Sequence, residues 1–179
     1  MMVFGRIYDR LVDMGLATSA NVFRPEVCQA DLVEKLGLVH SERYVTDFVR
    51  GKLDQRELRR IGFPWSEMLV RRTLSEVAGT IFTAELCLDT GVALSCAGGT
   101  HHGHRDFGSG FCIWNDLAVT AEVLIRSERV ERVLIVDLDV HQGDGTAAIF
   151  SPENQCHREP PLPLSFYNGS WIEVTICAD

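Results

Sequence analysis

The sequence predicts an α/β fold organised around a parallel sheet, and three consecutive segments support this prediction. Residues 92–96 form a short apolar run, residues 115–127 have helical periodicity, and residues 132–139 are a β-branched run typical of buried parallel strands. This order is that of a βαβ unit, whose crossover is almost always right-handed. Because ligands of open parallel sheets bind beyond the carboxyl ends of the strands, the residues that follow each predicted strand are candidate site residues.

A series of helices is predicted upstream of this unit, and one short helix downstream. They are expected at residues 3–14, 29–36, 42–50, about 54–62, about 66–89 and 146–150. Ser41 is the predicted N-cap of the third helix, and Asp54 with Glu57 has the spacing of a capping box at the start of the fourth. Gly62 and Gly91 are the expected C-terminal stops of the fourth and fifth helices.

The composition is that of a globular protein with one core. The chain has 179 residues, of which 46% are hydrophobic and 23% charged, with a mean hydropathy of +0.04. The net charge of −8 disfavours a nucleic-acid surface, which requires clustered Lys and Arg. No apolar run approaches the ~20 residues of a membrane span. Neither nucleic acid nor membrane is therefore a predicted partner.

The N-terminal residues do not have the pattern of a secretory signal, which combines a basic cluster, an apolar core and a small-residue cleavage site. Six widely separated cysteines form no CxxC pair, which favours reduced thiols over a disulfide framework. We therefore predict an intracellular protein, in the nucleus or the cytoplasm if its source is eukaryotic.

The first segment suited to catalysis is AGGTHHGHRDFGSGFCIWND, residues 97–116. Its five glycines let the backbone adopt unusual dihedral angles and approach a ligand closely. His101 and His102 lie at the mouth of the predicted sheet, where imidazole groups that titrate near neutral pH are suited to proton transfer. A histidine pair in a loop is also compatible with no catalytic role, so this segment alone leaves both interpretations open.

The second segment is VLIVDLDVHQGDGTAAIF, residues 133–150. Asp137, Asp139 and His141 recur at every second residue, so an extended chain directs all three to one side. Buried carboxylates need compensation, which a divalent metal and histidines would provide. Asp and His together suit zinc, which in catalytic sites keeps one position open for water. An ordinary strand with a polar turn around Asp144 is the alternative, but it leaves the first segment unexplained.

The segments GGTHHGHRDFGSGFCIWND and DLDVHQGDGTAAIF resemble, in order and spacing, the paired signatures of the histone deacetylase family. The sequence HQGDG, with Gln142 in place of a second histidine, is similar to the class IV branch and its bacterial relatives. The resemblance implies the three-layer, parallel-sheet arginase/deacetylase fold in truncated form, with residues 1–150 as part of the catalytic domain. Residues 151–179 are Pro-rich and unlike the family, and we expect them to form a poorly ordered tail.

The resemblance also implies a metal site and a substrate channel. Asp139 and His141 would be zinc ligands, and the family often holds a monovalent cation such as K⁺ near the same strand. Gly110 and Phe111 would line the narrow channel for the acyl-lysine arm. Cys112, beside them, would be a buried packing residue.

For the reaction, the resemblance implies hydrolysis of an N-acyl-lysine amide in an acetylated protein or of a small acetylated amine. Zinc would polarise the carbonyl and activate its water. His102 would be the general base and later the general acid, with His101 as an electrostatic partner. Asp137 would orient and charge-balance His101, and Asp144 would do the same for His102.

Two functional groups of the family have no assigned counterpart in this sequence. The family takes a third zinc ligand, an aspartate, and an oxyanion-stabilising tyrosine from further downstream. After the second segment the only residues of these types are Tyr167 and Asp179, and both lie in the region unlike the family. Catalytic zinc normally takes three protein ligands, so we expect this chain by itself to be inactive or nearly so.

Three alternatives stay open at this point. An arginase-type binuclear manganese hydrolase is disfavoured because Gly143 stands two residues after His141, where such enzymes need another acid. A non-catalytic fragment could bind a partner through an exposed sheet edge. The chain could also fail to form a stable protein, which a cooperative thermal transition would exclude.

Overall fold

The computed structural model of the protein describes residues 3–151, 172–173 and 176–177. Within these residues the chain forms seven helices and four two-residue strands. The helices are α1 (Val3–Asp13), α2 (Gln29–Leu36), α3 (Glu42–Val49), α4 (Gln55–Ile61), α5 (Glu67–Thr90), α6 (Asp116–Arg126) and α7 (Asp144–Ile149). The strands are β1 (Arg132–Val133), β2 (Val136–Asp137), β3 (Ile172–Glu173) and β4 (Ile176–Cys177).

Local capping signals set the helix boundaries. The carboxylate of Asp54 accepts hydrogen bonds from N–H groups of the first turn of α4, and the side chain of Glu57 accepts one from the N–H of Asp54. Gly62 and Gly91 end α4 and α5 in the left-handed conformation, with φ of 90° and 82°. These predicted boundaries are confirmed. Ser41 occupies the predicted N-cap position of α3, but its side chain makes no capping hydrogen bond.

Helices α5 and α6 form the centre of the hydrophobic core. Leu74, Val77 and Ile81 follow one another at helical spacing on the buried face of α5, and Val119 and Leu124 are buried on α6. Full burial of an aliphatic side chain of this size contributes roughly 1.5–3 kcal/mol. The core therefore fixes the position of α6, whose N-terminus meets the glycine-rich segment.

Residues just before α6 are held by α3. The ring of Trp114 packs edge to face on Phe48, with centroids 5.1 Å apart. The hydroxyl of Tyr44 donates a hydrogen bond of 2.8 Å to the carbonyl of Ile113. Tyr44 and Phe48 are completely buried, so α3 sets the position of the chain between the glycine-rich segment and α6.

The described residues do not form the predicted βαβ unit, so this prediction is wrong for them. Residues 92–96 form no strand, and Val92 and Leu94 are exposed. Residues 132–139 form only the short strands β1 and β2, which pair antiparallel with β4 and β3. A β-branched run extends as a parallel strand only when a neighbouring strand supplies ladder partners, and residues 92–96 supply none. Helix α6 is present at the predicted place between the two segments.

The predicted poorly ordered tail falls mostly on residues 152–171, 174–175 and 178–179, which lie outside the described residues. Of residues 151–179, the structure describes Ser151 and the strands β3 and β4. None of the described helices is both long and apolar enough to cross a membrane.

Candidate active site

The histidine loop, residues 98–104, is anchored to the first residue of α6. The carboxylate of Asp116, which is completely buried, accepts hydrogen bonds from the N–H groups of Gly99 (2.9 Å) and Thr100 (2.7 Å). It also accepts from the hydroxyls of Thr100 (2.5 Å) and Thr80 (2.6 Å). These donors compensate for the lost solvation of the carboxylate. The sequence-based prediction missed Asp116, although an acid opening the helix after the histidines was an available signal.

His101 lies against Asp137, with 2.5 Å between Nδ1 of the ring and Oδ2 of the carboxylate. The two side chains are only 8% and 12% exposed. Gly143 packs against both, because a β-carbon there would lie 2.5 Å from that carboxylate oxygen and 3.4 Å from Nδ1 of His101. The φ of Gly143 is −74°, so glycine is needed at this position for space. The structure therefore brings these two predicted residues together.

His102 is held by Asp144, the first residue of α7. Its Nδ1 atom lies 2.6 Å from Oδ1 of Asp144, and the other carboxylate oxygen lies 3.4 Å from Nε2 of His104. Partial burial opposes ionisation of Asp144, but its hydrogen bond with His102 and the charges of both imidazoles outweigh burial and lower its pKa. Since Nδ1 of His102 donates to the carboxylate, Nε2 is the ring nitrogen that can accept a proton.

Asp139 and His141 lie beside these two pairs. Oδ1 of Asp139 accepts a hydrogen bond of 2.8 Å from the backbone N–H of His141 and lies 2.9 Å from Nδ1 of its ring. The backbone hydrogen bond is the largest reason that the pKa of Asp139 is lowered. Ring centroids are 6.2 Å apart for His141 and His102, and 4.2 Å apart for His102 and His101. The predicted histidines of both segments therefore converge in one region.

The donors available for a zinc ion are incomplete in the described part of the chain. Asp139 and His141 are suitable donor types, and their side chains are 50% and 74% exposed. However, the described residues contain no group of three or more His, Cys, Asp or Glu arranged to hold a metal ion. Two donors fall short of the three protein ligands that catalytic zinc normally takes. The described residues do not by themselves fit such an ion.

Gly110 and Phe111 lie beside the histidines. A β-carbon at Gly110 would lie 2.7 Å from Cδ2 of His102, so only glycine allows this close approach. Phe111 is 61% exposed and has a φ of 66°, a conformation uncommon for a bulky residue. Its N–H donates a hydrogen bond of 2.8 Å to the carbonyl of Ile61, and its ring packs against Phe63 with centroids 5.1 Å apart. An exposed aromatic ring is thus fixed next to the residue that contacts His102.

Cys112 follows this ring in sequence and lies in the interior, with 8% of the residue exposed. Burial raises the pKa of its thiol to about 11. The thiol is therefore protonated at neutral pH and acts as a packing group, as predicted.

A model of the histone deacetylase domain matches residues 3–159 of the chain. The chain belongs to the histone deacetylase family. A solved structure of an HDAC homolog from Aquifex aeolicus is similar to this chain with a TM-score of 0.66 and 26% sequence identity. That similarity covers 78% of this chain and 39% of the homolog. The predicted arginase/deacetylase fold class is thereby confirmed.

The curated relatives that this chain matches are longer than the chain. An uncharacterized protein of Picosynechococcus sp. is 45% identical over 153 residues, which cover 86% of this chain and 50% of that protein. Histone deacetylase 2 of Arabidopsis thaliana is 29% identical over 161 residues, which cover 86% of this chain and 41% of that protein. The chain therefore spans about half, or less, of the length of these relatives.

Proposed function

We propose that this chain supplies the proton-transfer half of the active site of a zinc-dependent N-acyl-lysine amidohydrolase. The main observation in support is that the hydrogen-bonded pair of His102 and Asp144 lies beside His141, with 6.2 Å between the two imidazole centroids. Membership of the histone deacetylase family supports hydrolysis of an acetylated substrate.

In the proposed reaction, His102 accepts a proton from the attacking water at Nε2 and then delivers it to the leaving amine. Its Nδ1 proton stays in the hydrogen bond to Asp144, which keeps the tautomer and the orientation of the ring constant. His101, which is held by Asp137, lies next to His102. Its proposed role is electrostatic, as the imidazole adjacent to the ring that gains and loses the proton.

Asp139 and His141 are the proposed zinc ligands of this chain, and the third ligand would come from a part of the protein outside the described residues. The ion would supply a Lewis acid for the scissile carbonyl. Two donors hold zinc weakly, and the chain by itself is therefore proposed to have little or no deacetylase activity.

The proposed substrate carries an acyl-lysine arm, a flexible aliphatic chain that ends in an amide. The exposed ring of Phe111 offers an apolar surface to the methylene groups, and Gly110 lets the chain that carries this ring lie directly against His102. Acetylated lysine side chains of proteins and small acetylated amines both have this shape, and both are proposed substrate classes.

The test joins residues 1–150 of this chain to the complementary half of the Picosynechococcus relative. Turnover of a fluorogenic acetyl-lysine peptide is measured for the chain alone, for this chimera and for the intact relative. We expect zinc-dependent turnover by the chimera, none by the chain alone, and a loss of about 10²-fold or more in the chimera with His102→Ala.

Two results would contradict this proposal. The first is a chimera that folds cooperatively and binds zinc but leaves the peptide intact, while the intact relative hydrolyses it. The second is zinc-dependent turnover by the chain alone. This result would show that the chain is not inactive by itself, but it would not contradict the assignment of His102.

A non-catalytic role is the second candidate, and exposed apolar side chains favour it. Val92, Leu94, Leu138 and Val140 are between 76% and 92% exposed. If these side chains form one contiguous patch, it would suit contact with another chain or with another part of the same protein. A stable complex of the chain with a partner, detected by light scattering and without turnover, would favour this role.

A further inference from the structure

His40 lies just before α3 in the sequence, and its side chain contacts the end of the histidine loop. Three hydrogen bonds join the two stretches of chain. Nη1 of Arg105 donates to the carbonyl of Val39 (3.2 Å), and the N–H of Ser41 donates to the carbonyl of Arg105 (2.9 Å). Nδ1 of His40 lies 2.9 Å from the carbonyl oxygen of His104. The side chain of His40 is therefore one of several groups that join these two stretches of chain.

The opposite nitrogen of the same ring faces α6. Nε2 of His40 lies 3.0 Å from the backbone nitrogen of Asn115, the N-cap residue of α6. A carbonyl only accepts hydrogen bonds and a backbone N–H only donates them, so Nδ1 of His40 carries the proton and Nε2 is the acceptor. His40 is thus a neutral imidazole that joins the end of the histidine loop to the start of α6.

Asn115 extends this connection to α7. Its buried side chain donates to the carbonyl of Gly103 (3.1 Å) and to the hydroxyl of Thr146 (2.9 Å). The N–H of Thr146 in turn donates to the carbonyl of His101 (3.1 Å). The side chain of Asn115 therefore ties the histidine loop to α7, and His40 holds the backbone of Asn115 and the end of the loop.

The histidine loop and α7 pack so closely that there is no room for a side chain at Gly145. A β-carbon on Gly145 would lie 2.5 Å from the carbonyl oxygen of Gly103 and 2.7 Å from that of His101. A small displacement of the loop would therefore change the distance between His102 and Asp144, which is 2.6 Å.

We propose that His40 is a positioning residue for the proposed active site. By holding the backbone at His104 and Asn115, it sets the histidine loop against α7 and so maintains the contact of His102 with Asp144. This inference rests on the proposed function only in that His102 is the proton-transfer group. His40 does not touch the reacting atoms, because backbone groups occupy both ring nitrogens and the residue is 1% exposed.

The first test uses the unmodified chain with ¹⁵N-labelled histidine and backbone. Nitrogen NMR is expected to show the Nδ1–H tautomer for His40 and a scalar coupling through the hydrogen bond between its Nε2 atom and the backbone nitrogen of Asn115. The Nε2–H tautomer, or the absence of the coupling in a folded sample, would overturn the proposal. This measurement does not depend on the folding of any variant.

The second test compares two substitutions at the same position. His40→Leu removes both hydrogen bonds, whereas His40→Gln has one amide donor and one amide acceptor that can replace them. Exchange with solvent of the Nδ1 proton of His102 is expected to become about tenfold faster or more in His40→Leu, and to stay close to the unmodified rate in His40→Gln.

A core variant provides the matched control. Leu74→Ala, on the buried face of α5, lowers the unfolding temperature by forming a cavity and removes none of the hydrogen-bond partners of His40. It is expected to leave the exchange of the His102 proton unchanged when the fraction unfolded is negligible. An unchanged exchange rate in His40→Leu, or an equal acceleration in Leu74→Ala, would overturn the proposal. These readouts need no turnover, so they are independent of whether the deacetylase proposal succeeds.

Discussion

Nδ1 of His102 lies 2.6 Å from Oδ1 of Asp144, although 42 positions separate the two residues in the sequence. Their side chains are 21% and 50% exposed, whereas those of His101 and Asp137 are 8% and 12% exposed. Water and a substrate can reach the first pair more easily than the second. The difference in exposure favours His102 over His101 as the residue that exchanges protons with the substrate.

Asp144→Asn is expected to lower the kcat of the chimera by about 10–100-fold with little change in KM. The amide oxygen can still accept the proton of His102, but the negative charge that stabilises the protonated ring is lost. Steady-state kinetics on the acetyl-lysine peptide provide the measurement. Asp31→Asn, at an exposed position on α2 where Asp31 pairs only with Lys35 among the described contacts, is the matched control. Equal kcat values for the two variants would exclude a role for Asp144.

The helices could be predicted from the sequence because their boundaries depend on neighbouring residues. Asp54 caps α4 through contacts within its first turn, and Gly91 ends α5 in a left-handed conformation. The strands could not be predicted in the same way. The segments 92–96 and 132–139 have suitable side chains, but a strand is stabilised by a partner that the local sequence does not specify.

In the candidate site, too, some residues could be predicted from the sequence and others could not. The predicted residues His102 and Asp144 carry a family pattern that is visible in the sequence. His40 belongs to no short pattern, and Asp116, the last residue of the first segment, was assigned no role from the sequence. Their importance comes from buried or partly buried hydrogen bonds to backbone groups that are distant in sequence, and such contacts appear only when the chain is folded.

Asp116→Asn is expected to lower the free energy of unfolding by about 1–3 kcal/mol. Each oxygen of the Asp116 carboxylate accepts two hydrogen bonds, and the NH₂ group of asparagine would replace one of these acceptors. At least one partly buried N–H or hydroxyl donor would then lose its acceptor on this side chain. Urea denaturation provides the measurement, and hydrogen exchange at Gly99 and Thr100 should become faster. Unchanged exchange at both amides would argue against this anchoring role.

Gly143→Ala is expected to destabilise the protein by about 1–3 kcal/mol, since the new methyl group would lie 2.5 Å from the carboxylate of Asp137. The backbone conformation at this position suits alanine, so the cost is steric. Gly5→Ala is the matched control. A β-carbon at Gly5 would meet nothing within 4 Å, and the substitution removes a glycine from helix α1. That control is expected to stabilise the chain by roughly 0.5–1 kcal/mol. Similar thermal shifts for the two variants would contradict the packing at Gly143.

Acidification is expected to destabilise the protein through His40. Burial lowers the pKa of this imidazole from 6.5 to about 4, although the hydrogen bonds to backbone groups act in the opposite direction. Between these two pH values the unfolded chain binds a proton that the folded chain does not. The free energy of unfolding therefore decreases as the pH falls through this window, and the contribution of His40 is fully present only above about pH 6.5.

The size of this effect can be isolated with His40→Gln, which has no titratable group. The shift corresponds to roughly 3 kcal/mol between neutral pH and pH 4. Urea denaturation of both proteins across this range should show a steeper loss of stability for the unmodified chain, because other titrating groups contribute equally to both. Protonation of Nε2 in the folded chain, near pH 4, would also end its hydrogen bond with Asn115, so the protection factor of that amide should fall as the pH approaches 4. Parallel stability profiles would mean that His40 can be protonated in the folded chain without loss of its contacts.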